Sequence, residues 1–165
     1  MLDHTRPSWT EMMTLPPERL AEQSRIPLSV FSEPSAIFSK LAREIADLIV
    51  TNNAQGRSTV LIQPVGPKKH FPELVEITNQ EKISWKNVIS FNMDEWMDWQ
   101  CRLLPEGHPW SFKGYMIENL FSKIDSDLAP LSENLLFPTL SNMDRYSDMI
   151  AEAGGADLCY GGFGF

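Results

Sequence analysis

Residues suited to holding a metal or a disulfide are scarce in this chain. Two cysteines, Cys101 and Cys159, and three histidines, His4, His70 and His108, are scattered through 165 residues. None of them sits at metal-ligand spacing from another, and two distant thiols make no disulfide framework, which fits a reducing cytoplasm. Cations are in the minority: 14 Lys and Arg stand against 22 Asp and Glu, a net charge of -8. That balance excludes the basic stripe of a nucleic-acid surface and works against attraction to anionic membranes. No apolar run approaches the ~20 residues that span a bilayer. The opening MLDHTRPSWTEMM starts with an acid and lacks an apolar core, unlike a secretory signal. Neither an internal repeat nor a low-complexity tract is present.

What is present is the composition of a globular domain, 42% hydrophobic and 22% charged, long enough to bury a sizeable core. Residues 1–27 carry Pro7, Pro16, Pro17 and Pro27 and read as an amino-terminal extension with a short helix at Pro17–Gln23. Residues 28–31 (LSVF) read as a short edge strand. A helix opens near Pro34, with Ile37, Leu41, Ile45 and Leu48 on one face, and closes near Gly56. TVLIQ (Thr59–Gln63) reads as a strand and Phe71–Gln80 as a helix. VISFN (Val88–Asn92) reads as a second strand. A long loop of 93–109 follows, and Pro109 is expected to open a helix bearing Phe112, Met116 and Leu120. Residues 135–137 suggest a short strand. A helix at 142–153 capped by Asn142 and a last strand at 157–160, with Cys159 as a small buried hydrophobe, complete the pattern. Strands alternating with helices at this spacing predict a mostly parallel sheet, an α/β Rossmann-like three-layer domain over residues 28–165. The carboxyl-terminal part of such a domain is expected to be missing, because the last strand leads into no covering helix.

Three strand ends carry the candidate chemistry, since ligands of open α/β sheets bind outside the carboxyl ends of the strands. At the end of VISFN the apolar run breaks into Asn92, Met93, Asp94 and Glu95, two adjacent carboxylates suited to proton transfer. Adjacent acids also begin ordinary solvated loops. At the end of TVLIQ, PVGPKK places Gly66, Pro67, Lys68 and Lys69 before a helix, a candidate anion cradle or an ordinary turn with solvated lysines. The last strand runs into Gly161, Gly162, Phe163, Gly164 and Phe165, where glycines permit close backbone approach. Trp96, Trp99 and Trp110 line a sugar site or pack under the long loop.

These blocks, in this order, resemble the glucosamine-6-phosphate and galactosamine-6-phosphate isomerases and deaminases, with the 6-phosphogluconolactonases as relatives. VFSEPSAIFSKLAREIADLI resembles the family's first helix, and PVG the start of its P-T-G-x-T-P phosphate loop. ISWKNVISFNMDEW resembles the stretch where F-N-x-D-E-[YW] is typical. EGHPWSFKGYM resembles H-P-x-S-[YF]-x-x-[FM], and GGADLCYGGFGF the strand preceding G-x-G-x-D-G-H.

The resemblance implies that Asp94 is the base moving a proton between C2 and C1 of the open-chain sugar, with Gly66, Lys68, Glu95, Gly162 and Gly164 at the substrate. The Asp-Gly-His of ring opening would fall just past Phe165. No metal or redox cofactor is implied, since a carboxylate suffices to shuttle the proton. The implied partner is a sugar phosphate, in a cytoplasmic homo-oligomer. His108, before Pro109, is expected to be structural. Here the phosphate loop lacks the family's threonine and second glycine, and Pro67 offers no N–H to an anion. Isolated, the chain is expected to be inactive on glucosamine 6-phosphate and prone to self-association. Rival readings are a non-catalytic sugar-phosphate-binding module, a 6-phosphogluconolactonase-like hydrolase and, more remotely, a dinucleotide oxidoreductase, whose glycine fingerprint is incomplete.

Overall fold

The structure, a computed structural model, describes residues 8–162. Two compact units divide between Ile37 and Phe38. In the first, α1 (Trp9–Thr14) starts at a capping box, in which the Glu11 N–H donates to Ser8 Oγ and the Ser8 N–H to the Glu11 carboxylate at 2.6 Å. The S-x-x-E spacing of Ser8 and Glu11 is the sequence signal for this helix, which the proline-rich reading overlooked. Helix α2 (Pro17–Gln23) has proline at its first position, as expected. Residues 28–31 join no sheet, and Leu28 and Val30 are half exposed. β-Branched residues make a strand only where a partner edge is available, so the expected edge strand is not formed.

The second unit is built on a four-stranded, all-parallel sheet of order β3-β2-β1-β4. Its strands are β1 (Thr59–Gln63), β2 (Val88–Asn92), β3 (Leu135–Leu136) and β4 (Leu158–Cys159). The two long strands are the two interior ones, paired from Thr59↔Val88 to Gln63↔Asn92. Strand residues alternate between faces. Leu61 and Val88 therefore point into the main core, with Ile45 and Ile49 of α3 (Pro34–Ala54), Leu74 of α4 (Phe71–Gln80) and Met116 of α5 (Phe112–Asn119). On the opposite face Phe91 meets Tyr146 of α6 (Tyr146–Glu152) edge-on, with ring centroids 5.5 Å apart. Helices on both faces of a parallel sheet make the expected three-layer α/β arrangement. Trp85, fully buried before β2, donates from Nε1 to Thr78 Oγ1 at 3.1 Å.

Several local expectations are corrected. The buried stripe of α3 is Ala42, Ile45, Ala46, Ile49 and Asn52, and Ile37 is half exposed. Small Ala42 and Ala46 let the helix approach closely, which turns the stripe away from the larger residues that the periodicity favoured. Pro109 lies in a turn, and α5 starts at Phe112 behind Ser111, whose Oγ accepts the Gly114 N–H at 3.1 Å. Asn142 does not cap α6. Its side chain accepts the Thr139 N–H and donates to the Phe137 carbonyl, bracing the turn after β3, and a 3-10 turn at Met143–Arg145 precedes the helix. Cys159 is exposed on the edge strand instead of buried.

His70 is wholly buried, and desolvation pushes its imidazole down to about 4. The unfolded chain takes this proton near pH 6.5, while the native imidazole stays neutral to about 4. His70 thus contributes full stability above 6.5, and that contribution is lost as pH falls through 4. The expected size is about 3 kcal/mol. Urea unfolding of wild type and His70→Phe across this window measures it: the wild-type stability should fall more steeply by that amount. Parallel pH curves would refute it.

Candidate active site

Four strand ends converge at the carboxyl edge of the sheet. The Met93 N–H donates to the Gln63 carbonyl at 2.8 Å, carrying the β1–β2 ladder one residue beyond the strands. The Tyr146 hydroxyl is shared between the Asn92 and Leu136 carbonyls at 2.9 and 2.8 Å, tying β2 to β3. On the other side, a Cβ on Gly162 would stand 3.7 Å from Pro67 Cδ, and one on Gly161 would stand 3.9 Å from Met93 Cε. The loop after β4 therefore lies against the loops after both β1 and β2. This edge is where a parallel sheet presents its ligand crevice.

Asp94 stands two residues past the end of β2, an interior strand. Its side chain is solvent-accessible, as a base acting on a substrate must be. Partial desolvation, and secondarily the charge of Glu95, hold its carboxyl above the ordinary value. The Asn92 side chain donates to the Asp94 carbonyl at 2.6 Å, turning the backbone sharply out of the strand. No hydrogen bond among the described residues uses the Asp94 carboxylate, which leaves both oxygens available for proton exchange.

Glu95 does a different job from its neighbour. Its two oxygens accept the Phe112 and Lys113 N–H groups at 2.8 and 2.7 Å, the first donors of α5, and one oxygen also takes the Trp96 N–H at 2.8 Å. A carboxylate at a helix N-terminus satisfies orphan donors and meets the positive end of the dipole. Glu95 thus clamps the Asp94 loop to α5 across 17 residues of sequence, with both of its oxygens engaged by backbone N–H groups. Glu95→Gln replaces one acceptor with a second donor facing an N–H. It should cost about 1.5–3 kcal/mol in urea unfolding. It should also lower the proton affinity of Asp94, because the neighbouring charge that raises it is gone, so the acid limb of any pH–rate profile should move to lower pH. An unchanged profile would show that Glu95 does not act on Asp94.

The remaining candidates are placed as follows. Gly66 is exposed in the turn after β1, and nothing lies within 4 Å of where its Cβ would be. The exposed Lys68 holds its ammonium 4.8 Å from the centroid of the Tyr115 ring on α5. Gly162 abuts Pro67, and Gly164 lies outside the described residues. Trp96, Trp99 and Trp110 are 55%, 87% and 68% exposed, so they do not pack under the long loop. That loop is stiffened from within: the Asp98 carboxylate accepts from the Gln100 N–H, the Arg102 N–H and Arg102 Nε, all within 2.9 Å. His108 Nδ1 accepts the Trp110 N–H at 3.1 Å, a structural task.

Sequence reasoning overlooked Tyr146, Gly114 and the buried His70–Tyr160 pair. Only Gly114 carried a signal, being a glycine inside a helix. Among the described residues no cluster of three or more His, Cys, Asp or Glu is placed to hold a metal, and no helix is long and apolar enough to cross a membrane.

A three-layer parallel α/β domain with a solvent-facing carboxylate of raised proton affinity at an interior strand end is the class of protein defined by this fold and site. No family model matches the chain. Among curated proteins, the glucosamine-6-phosphate deaminase of Fusobacterium nucleatum is 36% identical over 119 residues, 68% of this chain and 41% of the relative. That of Phocaeicola vulgatus is 33% identical over 140 residues, 81% of this chain and 51% of the relative. A solved structure of a monomeric glucosamine-6-phosphate deaminase shares the fold with a TM-score of 0.60 at 23% identity, covering 73% of this chain and 48% of that one. The chain belongs to the glucosamine-6-phosphate deaminase family, and it spans about half the length of the curated relatives it matches.

Proposed function

We propose that this chain carries the proton-transfer centre of an amino-sugar-phosphate isomerase/deaminase. The substrate is a 2-amino-2-deoxyhexose 6-phosphate, and the products are a ketohexose 6-phosphate and ammonia. The observation that carries this reading is Asp94: a carboxylate of raised proton affinity, without a hydrogen bond among the described residues, two residues past the end of an interior strand.

The chemistry follows from that placement. In the open-chain sugar the C2 hydrogen is acidified by the C1 aldehyde. Asp94 takes it, leaving an enol-type intermediate, and returns it to C1. Moving a hydrogen from C2 to C1 of a 2-amino aldehyde gives a 2-imine with a C1 alcohol, and water then hydrolyses the imine to ketone and ammonia. A raised proton affinity brings the carboxyl nearer the working pH, where it both accepts and returns a proton. The glycine-lined loops after β1 and β4, with Lys68 at their rim, support an anionic 6-phosphate at the same edge.

Solvent exchange tests this reading. Incubated in D2O with fructose 6-phosphate and ammonium, the protein should introduce deuterium at C1. The exchange needs Asp94 but not ring opening, whereas ammonia release from glucosamine 6-phosphate needs both. Binding of fructose 6-phosphate without any exchange would overturn the reading. It would favour a sugar-phosphate-binding module without catalysis, to which the Pro67-Lys68-Lys69 departure in the phosphate loop also points.

A further inference from the structure

Beneath the carboxyl edge of the sheet lies a largely buried polar chain that the proposed reaction does not use. His70 Nε2 sits 3.1 Å from the Tyr160 hydroxyl. That hydroxyl donates to Gln63 Oε1 at 2.9 Å, and Gln63 Nε2 donates to Ser90 Oγ at 2.8 Å. His70 and Gln63 have no exposed surface, Ser90 is 3% exposed, and Tyr160 is half-buried. His70 Nε2 and the Tyr160 hydroxyl share one hydrogen bond, whose direction is set by the imidazole tautomer. His70 also packs edge-on against Phe71 and Tyr160, with centroids 4.6 and 5.2 Å away.

The four side chains come from four different places: the turn before α4, β1, β2 and the residue following β4. An apolar set would fill the same volume without polar groups that need partners. What hydrogen bonds add over apolar packing is a defined distance and direction between the elements they join. Here the joined elements are the two glycine loops. His70 closes the turn that begins at Gly66 and Pro67, and Tyr160 immediately precedes Gly161 and Gly162. At the surface above, Gly162 lies against Pro67.

We propose that His70 is a positioning residue of the sugar-phosphate site. Through Tyr160 and Gln63 it holds the turn of residues 66–69 in register with the Gly161–Gly162 loop. The proposal rests on the reading of this edge as the sugar-phosphate site. His70 touches no substrate, being walled off by the core, and acts only through the placement of the turn.

Two measurements on Tyr160→Phe and His70→Phe test it. Tyr160→Phe removes a single oxygen and keeps the ring, so it is the variant expected to fold. Without any sugar present, its backbone amide NMR signals at Gly66, Lys68 and Lys69 should shift and exchange faster, although the substitution is some 90 residues away in sequence. Signals at 66–69 that do not move would overturn the proposal, whatever the protein does with sugars. In the deuterium exchange with fructose 6-phosphate and ammonium, both variants should raise KM about tenfold with kcat within about twofold, and the double variant should be no worse than either single one. A KM equal to wild type would overturn the proposal too. A wild-type protein that neither binds nor turns over a sugar phosphate would instead refute the reading of the site, and the NMR result alone would then decide whether His70 sets the turn.

Discussion

Asp94→Asn should lower deuterium exchange into fructose 6-phosphate, and any ammonia release, by about 10²–10⁴-fold, while leaving the fold intact. Asparagine has the shape of aspartate but accepts no proton at neutral pH. The carboxylate makes no hydrogen bond within the described residues, so nothing structural is lost with it. The direction of the stability change is a separate check. The fold raises the proton affinity of Asp94, mainly by desolvation, so it disfavours the ionised form relative to the unfolded chain. At pH 7 the charge is therefore a small liability, and the neutral amide should leave Tm equal to or slightly above wild type. A variant as active as wild type would remove Asp94 from the mechanism. A variant that unfolds would show that the carboxylate has a structural partner.

Gly114→Ala should destabilise the second unit by about 3 kcal/mol, high in the range for overpacking. Ordinary helix propensity predicts the opposite sign, because alanine in a helix interior is favoured over glycine by roughly 0.5–1 kcal/mol. The geometry decides between the two. A Cβ at Gly114 would overlap the backbone carbonyl of Glu106, and no rotamer can relieve a clash with backbone. Helix α5 would have to leave the loop of residues 106–110, and its N-terminus, where Glu95 is bound, would move with it. Activity should therefore fall together with stability. Gly107→Ala is the matched control, since nothing lies within 4 Å of its Cβ position. Equal urea midpoints for the two variants would show that the close approach at Gly114 is not tight.

Much of the fold is legible residue by residue. Thr59–Gln63 and Val88–Asn92 are short apolar runs flanked by polar and turn residues, and they form strands over those bounds. Phe71–Gln80 offers Leu74, Val75 and Ile77 as its inward residues and has a proline in its first turn, and it forms a helix over those bounds, with Leu74 buried and Val75 and Ile77 half-buried. The readings that failed share a cause. LSVF at 28–31 and Asn142 have the right local chemistry for a strand and a cap. Strands need a neighbouring edge, however, and Asn142 found better partners in Thr139 and Phe137. The α3 stripe was misplaced because periodicity weights large residues, while packing distance rewarded Ala42 and Ala46.

By itself, then, the sequence determined where the interior strands begin and end, and so that Asp94 emerges at the carboxyl edge of the sheet. Strand identity follows from local apolar runs, and a parallel sheet places all its carboxyl ends on one edge. Tertiary structure alone decided what each residue there does. Adjacent Asp94 and Glu95 are indistinguishable as letters. One is left free and the other is bound to α5, because the donors that claim Glu95 lie 17 and 18 residues away. His70 is an isolated histidine in the sequence, and its partner Tyr160 is 90 residues distant. Hydrogen bonds act over about 3 Å of space, whatever the separation along the chain. Roles set by such bonds exist only once the chain has closed on itself.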